Sequence, residues 1–237
     1  MLLASDKVDK QIEEIGLIVN YLKDNSDAFN YIEKEQIINS LKYENYTEWG
    51  KHNHICMQIY DELGLLPDSI NPYKAFAELI NETFNIKDKN IVEIGGGNIP
   101  RLAKRINKMQ DTGTITVYDP NLYISENKID NLKLVKRRFS SVTNVSGADL
   151  LIGLLPCGSS SIIVKAATRY NKDFMITLCD SHNTLECLDG VEEDLEWPIN
   201  FIENTRCIVE ENNMGKLKVK SLNEIGDNYP IIYNDRG

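Results

Sequence analysis

Residues 91–100 read IVEIGGGNIP, an apolar, β-branched run that leads into three glycines and ends at a proline. The run predicts a strand over 90–94, and the amphipathic segment after it predicts a helix over 101–109. Glycines between a strand and a helix let the backbone turn sharply and let a ligand approach it closely. The free N–H groups of the following helix add a partial positive charge at the same place. We therefore expect Gly95, Gly96 and Gly97 to form part of a ligand-binding loop.

Alternating strands and helices continue beyond this loop. The apolar pattern predicts a helix over 159–170 and strands over 114–119, 132–136, 149–155 and 174–179. Such alternation is typical of a parallel sheet that helices cover on both faces. Near the end of the chain, strand candidates at 205–211 and 216–222 flank an Asn/Gly turn. Two strands around such a turn predict an antiparallel hairpin.

The first 85 residues have a helical pattern instead. Apolar residues recur at three- and four-residue steps from Val8 to Leu22, which predicts one amphipathic helix. Ser26 and Thr47 are expected to cap a second and a third helix, and Asn71 followed by Pro72 predicts the start of a fourth. We therefore expect a helical region over 1–85 and an α/β domain over 86–237. The helical region is expected to serve as a lid, a homodimer interface or both.

A carboxylate follows the second predicted strand. Asp119 comes 22 residues after Gly97, and an acid at that place can accept hydrogen bonds from both hydroxyls of a ribose. The spacing serves nicotinamide dinucleotides and S-adenosylmethionine (SAM) alike. Pro100 stands in place of the third glycine of the dinucleotide motif, and the terminal hairpin is unusual for a dinucleotide domain. Glu93 would repel a pyrophosphate but suits the cationic amino-acid end of SAM, so all three features favour SAM.

These segments resemble a known family in the same order along the chain. Glu93-Ile94-Gly95-Gly96-Gly97 resembles the first motif, E/D-x-G-x-G, of class I SAM-dependent methyltransferases. Asp119 is similar to their ribose-binding acid, and 148–152 is similar to their fourth strand. The C-terminal strands look like the reversed hairpin that closes their sheet. The resemblance spans about residues 87–222 and implies an α/β fold: a Rossmann-like, seven-stranded, mostly parallel sheet with a C-terminal antiparallel hairpin, beside the N-terminal helical region.

The resemblance also implies a binding site with SAM as its cofactor. Phe139 and Ser140 stand where the family often has an acid that contacts adenine, and we expect stacking from the ring and a hydrogen bond from the hydroxyl. The expected cofactor-binding residues are Glu93, Gly95, Gly96, Gly97, Asp119, Pro120, Phe139, Ser140 and Leu155. The acceptor pocket is expected to contain Trp49, His52, Cys157 and Asp180. His182 is the candidate general base, because the ordinary pKa of histidine suits proton transfer at neutral pH.

Composition and net charge limit which binding partners and which cellular compartment we expect for this protein. The net charge is −10, and residues 1–85 hold 7 basic and 15 acidic side chains. A nucleic-acid-binding surface needs clustered positive charge, so we expect a small-molecule acceptor, or a protein, rather than nucleic acid. No long apolar run or secretory signal occurs, and the five cysteines form no C-x-x-C pair. We expect a cytoplasmic protein with no membrane span and no metal site.

Other functions stay open beside methyl transfer. The first is a SAM-using enzyme that transfers the aminopropyl group, similar to nicotianamine synthases. The second is a non-catalytic protein of the same fold that binds a partner through the irregular stretch 187–204. A nicotinamide-dependent oxidoreductase is the third. The by-product separates the methyltransferase from the aminopropyl transferase, because methyl transfer leaves S-adenosylhomocysteine and aminopropyl transfer leaves methylthioadenosine.

Overall fold

The computed structural model describes residues 2–41, 54–123, 129–156, 158–178, 198–222 and 229–237. Its strands are β1 Ile91–Ile94, β2 Ile115–Tyr118, β3 Leu132–Val135, β4 Leu150–Gly153, β5 Asp173–Thr177, β6 Lys216–Lys220 and β7 Ile231–Asp235. All seven lie in one sheet, in the order β3-β2-β1-β4-β5-β7-β6. The first five run parallel, and β7 runs antiparallel to both β5 and β6. This is the expected Rossmann-like, seven-stranded, mostly parallel sheet with antiparallel C-terminal strands, so the predicted fold class is confirmed.

In the described part of the chain, helices cover both faces of this sheet, and the N-terminal helices form a separate cluster beside it. They are α1 Leu2–Asp24, α2 Tyr31–Ser40, α3 His54–Glu62, α4 Pro72–Phe84, α5 Arg101–Met109, α6 Ser160–Tyr170 and α7 Ile199–Glu211. Side chains of α4 and α5 form one core with the sheet. Side chains of α6 and α7 form a second core on the other face. Alternate residues of each strand point to opposite faces, so Ile91 and Val92 of β1 belong to different cores.

The N-terminal helices build a third apolar cluster that meets the sheet at the glycine loop. Ile18 of α1, Ile37 of α2 and Ile59 of α3 are fully buried in this cluster. Ile99, which follows the glycines, packs among them. Helix α4 belongs to the core of the sheet rather than to this cluster, so apolar packing is continuous across the predicted boundary between 85 and 86. The three clusters together place the helical region directly against the predicted binding loop.

Most predicted elements are present with small changes at their ends. Helix α5 has the predicted bounds, and Asn71 caps α4, because its side chain accepts a hydrogen bond from the Lys74 N–H at 3.0 Å. Ser26 lies in a short 3₁₀ turn instead, and Asn30 caps α2 by a capping box with Glu33. Thr47 lies outside the described residues. Among the described residues, no helix is both long and apolar enough to cross a membrane.

The composition of the C-terminal hairpin was predicted wrongly. Residues 205–211 belong to helix α7 rather than to a strand, and β6 pairs with β7, which was not predicted. Phe201, Thr205, Ile208 and Val209 are buried in the core under the sheet. Their spacing of four, three and one residues is helical, and it decided the structure over the β-branched composition. The run at 231–233 supplies the missing strand.

Candidate functional site

The loop after β1 takes a conformation that needs glycine. Gly95 and Gly97 have φ angles of +81° and +69°, a region that residues with a Cβ rarely adopt. A Cβ on Gly96 would lie 2.5 Å from Cγ1 of Val117 in β2. A Cβ on Gly95 would lie 2.9 Å from Cα of Pro156, which follows β4. The three glycines therefore let the loop lie close to both neighbouring strands.

Asp119 joins this loop to the end of β2. One carboxylate oxygen, Oδ2, accepts a hydrogen bond from the Gly97 N–H at 3.0 Å, and Oδ1 accepts one from the Asn121 N–H at 2.7 Å. A carboxylate has about four acceptor positions, so this one can accept further bonds. Its side chain is half-buried at the edge of a cavity. Two residues 22 positions apart in the chain are thus brought together as the spacing predicts.

The cavity lies where the parallel strands end. Its volume is about 470 Å³, within the ~300–1,000 Å³ typical of small-molecule sites. Six of the predicted cofactor-binding residues line it: Gly95, Gly97, Asp119, Pro120, Phe139 and Leu155. Other described residues of the wall come from the last residues of β1 and β2, from the loops after β1, β2, β3 and β4, and from α6: Ile94, Asn98, Tyr118, Asn121, Arg138, Pro156, Gly158, Ser159 and Ile162. Ligands of parallel α/β sheets bind at this edge.

The apolar part of the wall is held in place by packing and one backbone bond. The rings of Phe139 and Tyr118 meet edge to face, with centroids 5.3 Å apart. Leu155 has a φ angle of +49°, and its N–H donates to the Thr177 hydroxyl of β5. A non-glycine residue in this region is strained, and such strain is concentrated at binding sites. A flat apolar group could therefore lie against the side chains of Phe139 and Leu155.

Residues of helices α2 and α3 line the cavity from the N-terminal side. The sequence predicted a lid or a dimer interface in this region, but not these residues. The Gln58 carboxamide of α3 donates to the Gly96 carbonyl at 3.1 Å and accepts from the Ile99 N–H at 3.3 Å. A Cβ on Gly97 would overlap this carboxamide. Glu33 of α2, Ile55 and Gln58 all line the cavity. The Gln58 side chain therefore occupies part of the space that the glycine loop leaves open.

Three predicted cofactor-binding residues do not line the cavity. Glu93 is 3% exposed beneath the loop, and its carboxyl accepts a hydrogen bond from the Ala103 N–H at 3.1 Å. Burial raises the pKa of Glu93 to about 8. The hydrogen bond from Ala103 lowers this pKa, and the negative charge of Asp119 raises it further. The raised pKa disfavours the anion that was expected from the sequence. Gly96 is buried against Val117, and Ser140 shares a local turn with Thr143 instead.

The predicted acceptor residues lie outside the described residues. These are Trp49, His52, Cys157 and Asp180, and the candidate base His182 lies there too. Their roles stay predictions. In the part of the chain that the structure describes, no group of three or more His, Cys, Asp or Glu side chains could hold a metal ion.

A second and larger cavity, of about 620 Å³, lies between α1, α5 and β3. It shares Asn98 with the first cavity, but none of the predicted site residues lines it. Lys104 on its wall donates to Glu62 at 2.8 Å. Asp119, the glycines and the ends of the parallel strands meet only in the smaller of these two cavities, which is therefore the candidate site.

Comparison with known proteins finds no family model and no curated sequence that matches this chain. Among solved structures, it is similar to magnesium protoporphyrin IX methyltransferase from Synechocystis PCC 6803 with bound SAH, at 10% identity and a TM-score of 0.44, over 70% of this chain and 84% of that one. Precorrin 8w decarboxylase from Methanobacterium thermoautotrophicum has 9% identity and a TM-score of 0.40, over 67% and 88%. A mutant of MtNAS in complex with S-adenosylmethionine has 11% identity and a TM-score of 0.41, over 85% and 70%.

Proposed function

We propose that this protein binds SAM in the 470 Å³ cavity and transfers its methyl group to a small molecule. The observation that carries the proposal is the junction of Asp119 with the glycine loop, through the 3.0 Å hydrogen bond from Gly97. This junction puts a half-buried carboxylate with unused acceptor capacity beside a loop that a ligand can approach. A ribose needs such a carboxylate, because both of its hydroxyls are donors.

The remaining wall fits the other parts of SAM. The side chains of Phe139 and Leu155 would hold the adenine by apolar contact. Gly95 and Gly97 would lie against the amino-acid end, where the loop exposes backbone rather than side chains. Residues that bind the two ends thus come from different strand ends, which supports binding of one extended ligand rather than of a simple ion.

The charge of the cavity favours SAM over a dinucleotide. Among the described residues that line it, Glu33, Asp119 and Arg138 are charged, which gives a net charge of −1. SAM carries an ammonium, a sulfonium and one carboxylate, so its net charge is opposite to that of the cavity. A nicotinamide dinucleotide carries a doubly negative pyrophosphate, which such a cavity would repel. The charge of the cavity therefore favours a sulfonium nucleoside over a nicotinamide dinucleotide.

When it is bound, SAM supplies a methyl group on a positively charged sulfur. This chain's residues would orient the donor, hold the acceptor in line with it and exclude water, which is the main requirement for such a transfer. A base is needed only for an acceptor that must lose a proton, and His182 stays the candidate for that role. The helical region would act as a lid, because Gln58 and Ile55 already cover the cavity.

Calorimetry tests the cofactor. Wild type is expected to bind SAM, and Asp119→Asn is expected to weaken binding by about 1–3 kcal/mol, the cost of losing hydrogen bonds to a charged acceptor. Asparagine keeps one oxygen for the Gly97 N–H, so the loop keeps its support. Asp111→Asn makes the same change at an exposed position before β2 and is the matched control. Equal affinity for SAM in wild type and a folded Asp119→Asn would contradict the ribose assignment.

Product analysis tests the reaction. Incubation with SAM and candidate small-molecule acceptors is expected to release S-adenosylhomocysteine. Release of methylthioadenosine instead would identify the aminopropyl transferase. Tight SAM binding with neither product from any acceptor would favour the non-catalytic binding protein, and tight NADH binding without SAM binding would favour the oxidoreductase.

A further inference from the structure

Glu33 is the one carboxylate that the N-terminal helices contribute to the lining described for the cavity. We propose that Glu33 binds the α-ammonium group of SAM, so that the helical region recognises the amino-acid end of the cofactor. The inference rests on the proposed function and names a residue that selects the ligand. It also gives the helical region a part in binding, beyond covering the cavity.

Contacts with the helix start and with the glycine loop hold Glu33 in place. Its Oε2 accepts hydrogen bonds from the Asn30 N–H at 2.7 Å and from Nδ2 of Asn98 at 3.2 Å. Asn98 directly follows Gly97, and its Nδ2 also donates to the Ala28 carbonyl at 2.8 Å. In the described part of the chain, both hydrogen bonds that the Glu33 carboxylate accepts end on Oε2. Oε1 therefore keeps its acceptor capacity for a ligand, and the carboxylate is already oriented beside the loop.

The other charged groups near the loop leave the cation to Glu33. Asp119 is assigned to the ribose, and its carboxylate already accepts two hydrogen bonds from backbone N–H groups. Glu93 lies beneath the loop, outside the lining of the cavity. Arg138 is positive and has no acceptor, so it cannot bind an ammonium group. An ammonium group has three donors, and Glu33 provides the charge-assisted acceptor that such a group needs.

This assignment couples ligand binding to docking of the helical region. Glu33 reaches the cavity only while α2 lies against Asn98, and α3 is held at the same loop by Gln58. The ligand would therefore bind residues 33 and 119 at once, one from each predicted unit. A ligand that lacks the amino-acid end would use only the part of the site built by the sheet.

Binding of three ligands to matched variants tests the inference by calorimetry. The ligands are SAM, S-adenosylhomocysteine, which keeps the ammonium but lacks the sulfonium charge, and methylthioadenosine, which lacks the amino-acid end. Glu33→Gln removes the charge but keeps an oxygen for the capping box, in which glutamine also serves. Glu35→Gln, at an exposed position of the same helix, is the control. Glu33→Gln is expected to weaken SAM and S-adenosylhomocysteine about 10- to 100-fold, the usual loss for a hydrogen bond to a charged group, and to leave methylthioadenosine within about twofold of wild type.

The pattern across the ligands separates the outcomes. Equal loss for all three ligands would mean that Glu33 only supports the loop, and unchanged binding of all three would mean that it does not meet the ligand. Loss for SAM alone would place it at the sulfonium, and each of these results overturns the inference while the proposed function stands. No binding of any ligand to wild type would overturn both. If Glu33→Gln does not fold, Glu33→Asp is expected to weaken SAM and S-adenosylhomocysteine and spare methylthioadenosine; equal effects on the three would refute the assignment.

Discussion

Replacing Glu93 with glutamine is expected to make the stability of the fold less dependent on pH. Burial raises the pKa of Glu93 from its ordinary 4.5 to about 8, although the hydrogen bond from Ala103 lowers it; the charge of Asp119 adds to the rise. The unfolded chain releases this proton near the ordinary value, and the folded protein keeps it to about pH 8. The stability that this group contributes is therefore complete below pH 4.5 and is lost as the pH rises towards about 8.

The size of the effect follows from the two pKa values. They differ by about 3.5, from 4.5 to about 8, and each pH unit corresponds to about 1.36 kcal/mol. Wild type is therefore expected to lose up to about 5 kcal/mol from this group over that interval. Glutamine keeps an oxygen for the Ala103 N–H and has no proton to release. The difference in unfolding free energy between Glu93→Gln and wild type should grow with pH by the same amount, in favour of the variant.

Urea denaturation followed by circular dichroism, from about pH 5 to about pH 9, measures this difference. Contributions of other titrating groups are common to both proteins and cancel in the subtraction. Glu82→Gln, at an exposed position of α4, is the control and should give a difference that is constant with pH. Parallel curves for wild type and Glu93→Gln would refute the reasoning, because they would mean that Glu93 is ionised in the folded protein.

Two further substitutions test how the helical region and the loop are held. Asp61→Asn is expected to lower the unfolding free energy by about 3–5 kcal/mol, the cost of breaking a buried ion pair, because the Asp61 carboxylate is fully buried between Arg101 and Arg105; a loss under about 1 kcal/mol in chemical denaturation would contradict this. Gly97→Ala is expected to lower both stability and SAM affinity, because φ is +69° and the new Cβ would overlap the Gln58 carboxamide. Gly147→Ala, with open space around it, is its control, and equal melting temperatures for the two variants would count against a strained loop.

The N-terminal half of the sheet could be predicted because its signals are local. The apolar run at 91–94, the glycines after it and the amphipathic helix α5 each follow from residues adjacent in the chain. Asp119 could be placed because the strand that precedes it ends at the same edge as β1, as parallel strands do. The last helix could not be placed in the same way. Its β-branched residues favoured a strand locally, and only the spacing of its buried side chains against the sheet distinguished the two.

The backbone that a ligand can approach and the acid that ends the second strand follow from local sequence, since turn geometry and strand alternation are short-range properties. Which side chains face the cavity depends instead on how the helices and the sheet pack together. Glu93 is close to the glycines in sequence but is buried beneath α5, and this burial raises its pKa. Glu33 and Gln58 are distant in sequence and reach the loop because the helical region packs there through Ile99. Exposure and charge depend on that long-range packing, which no local pattern encodes.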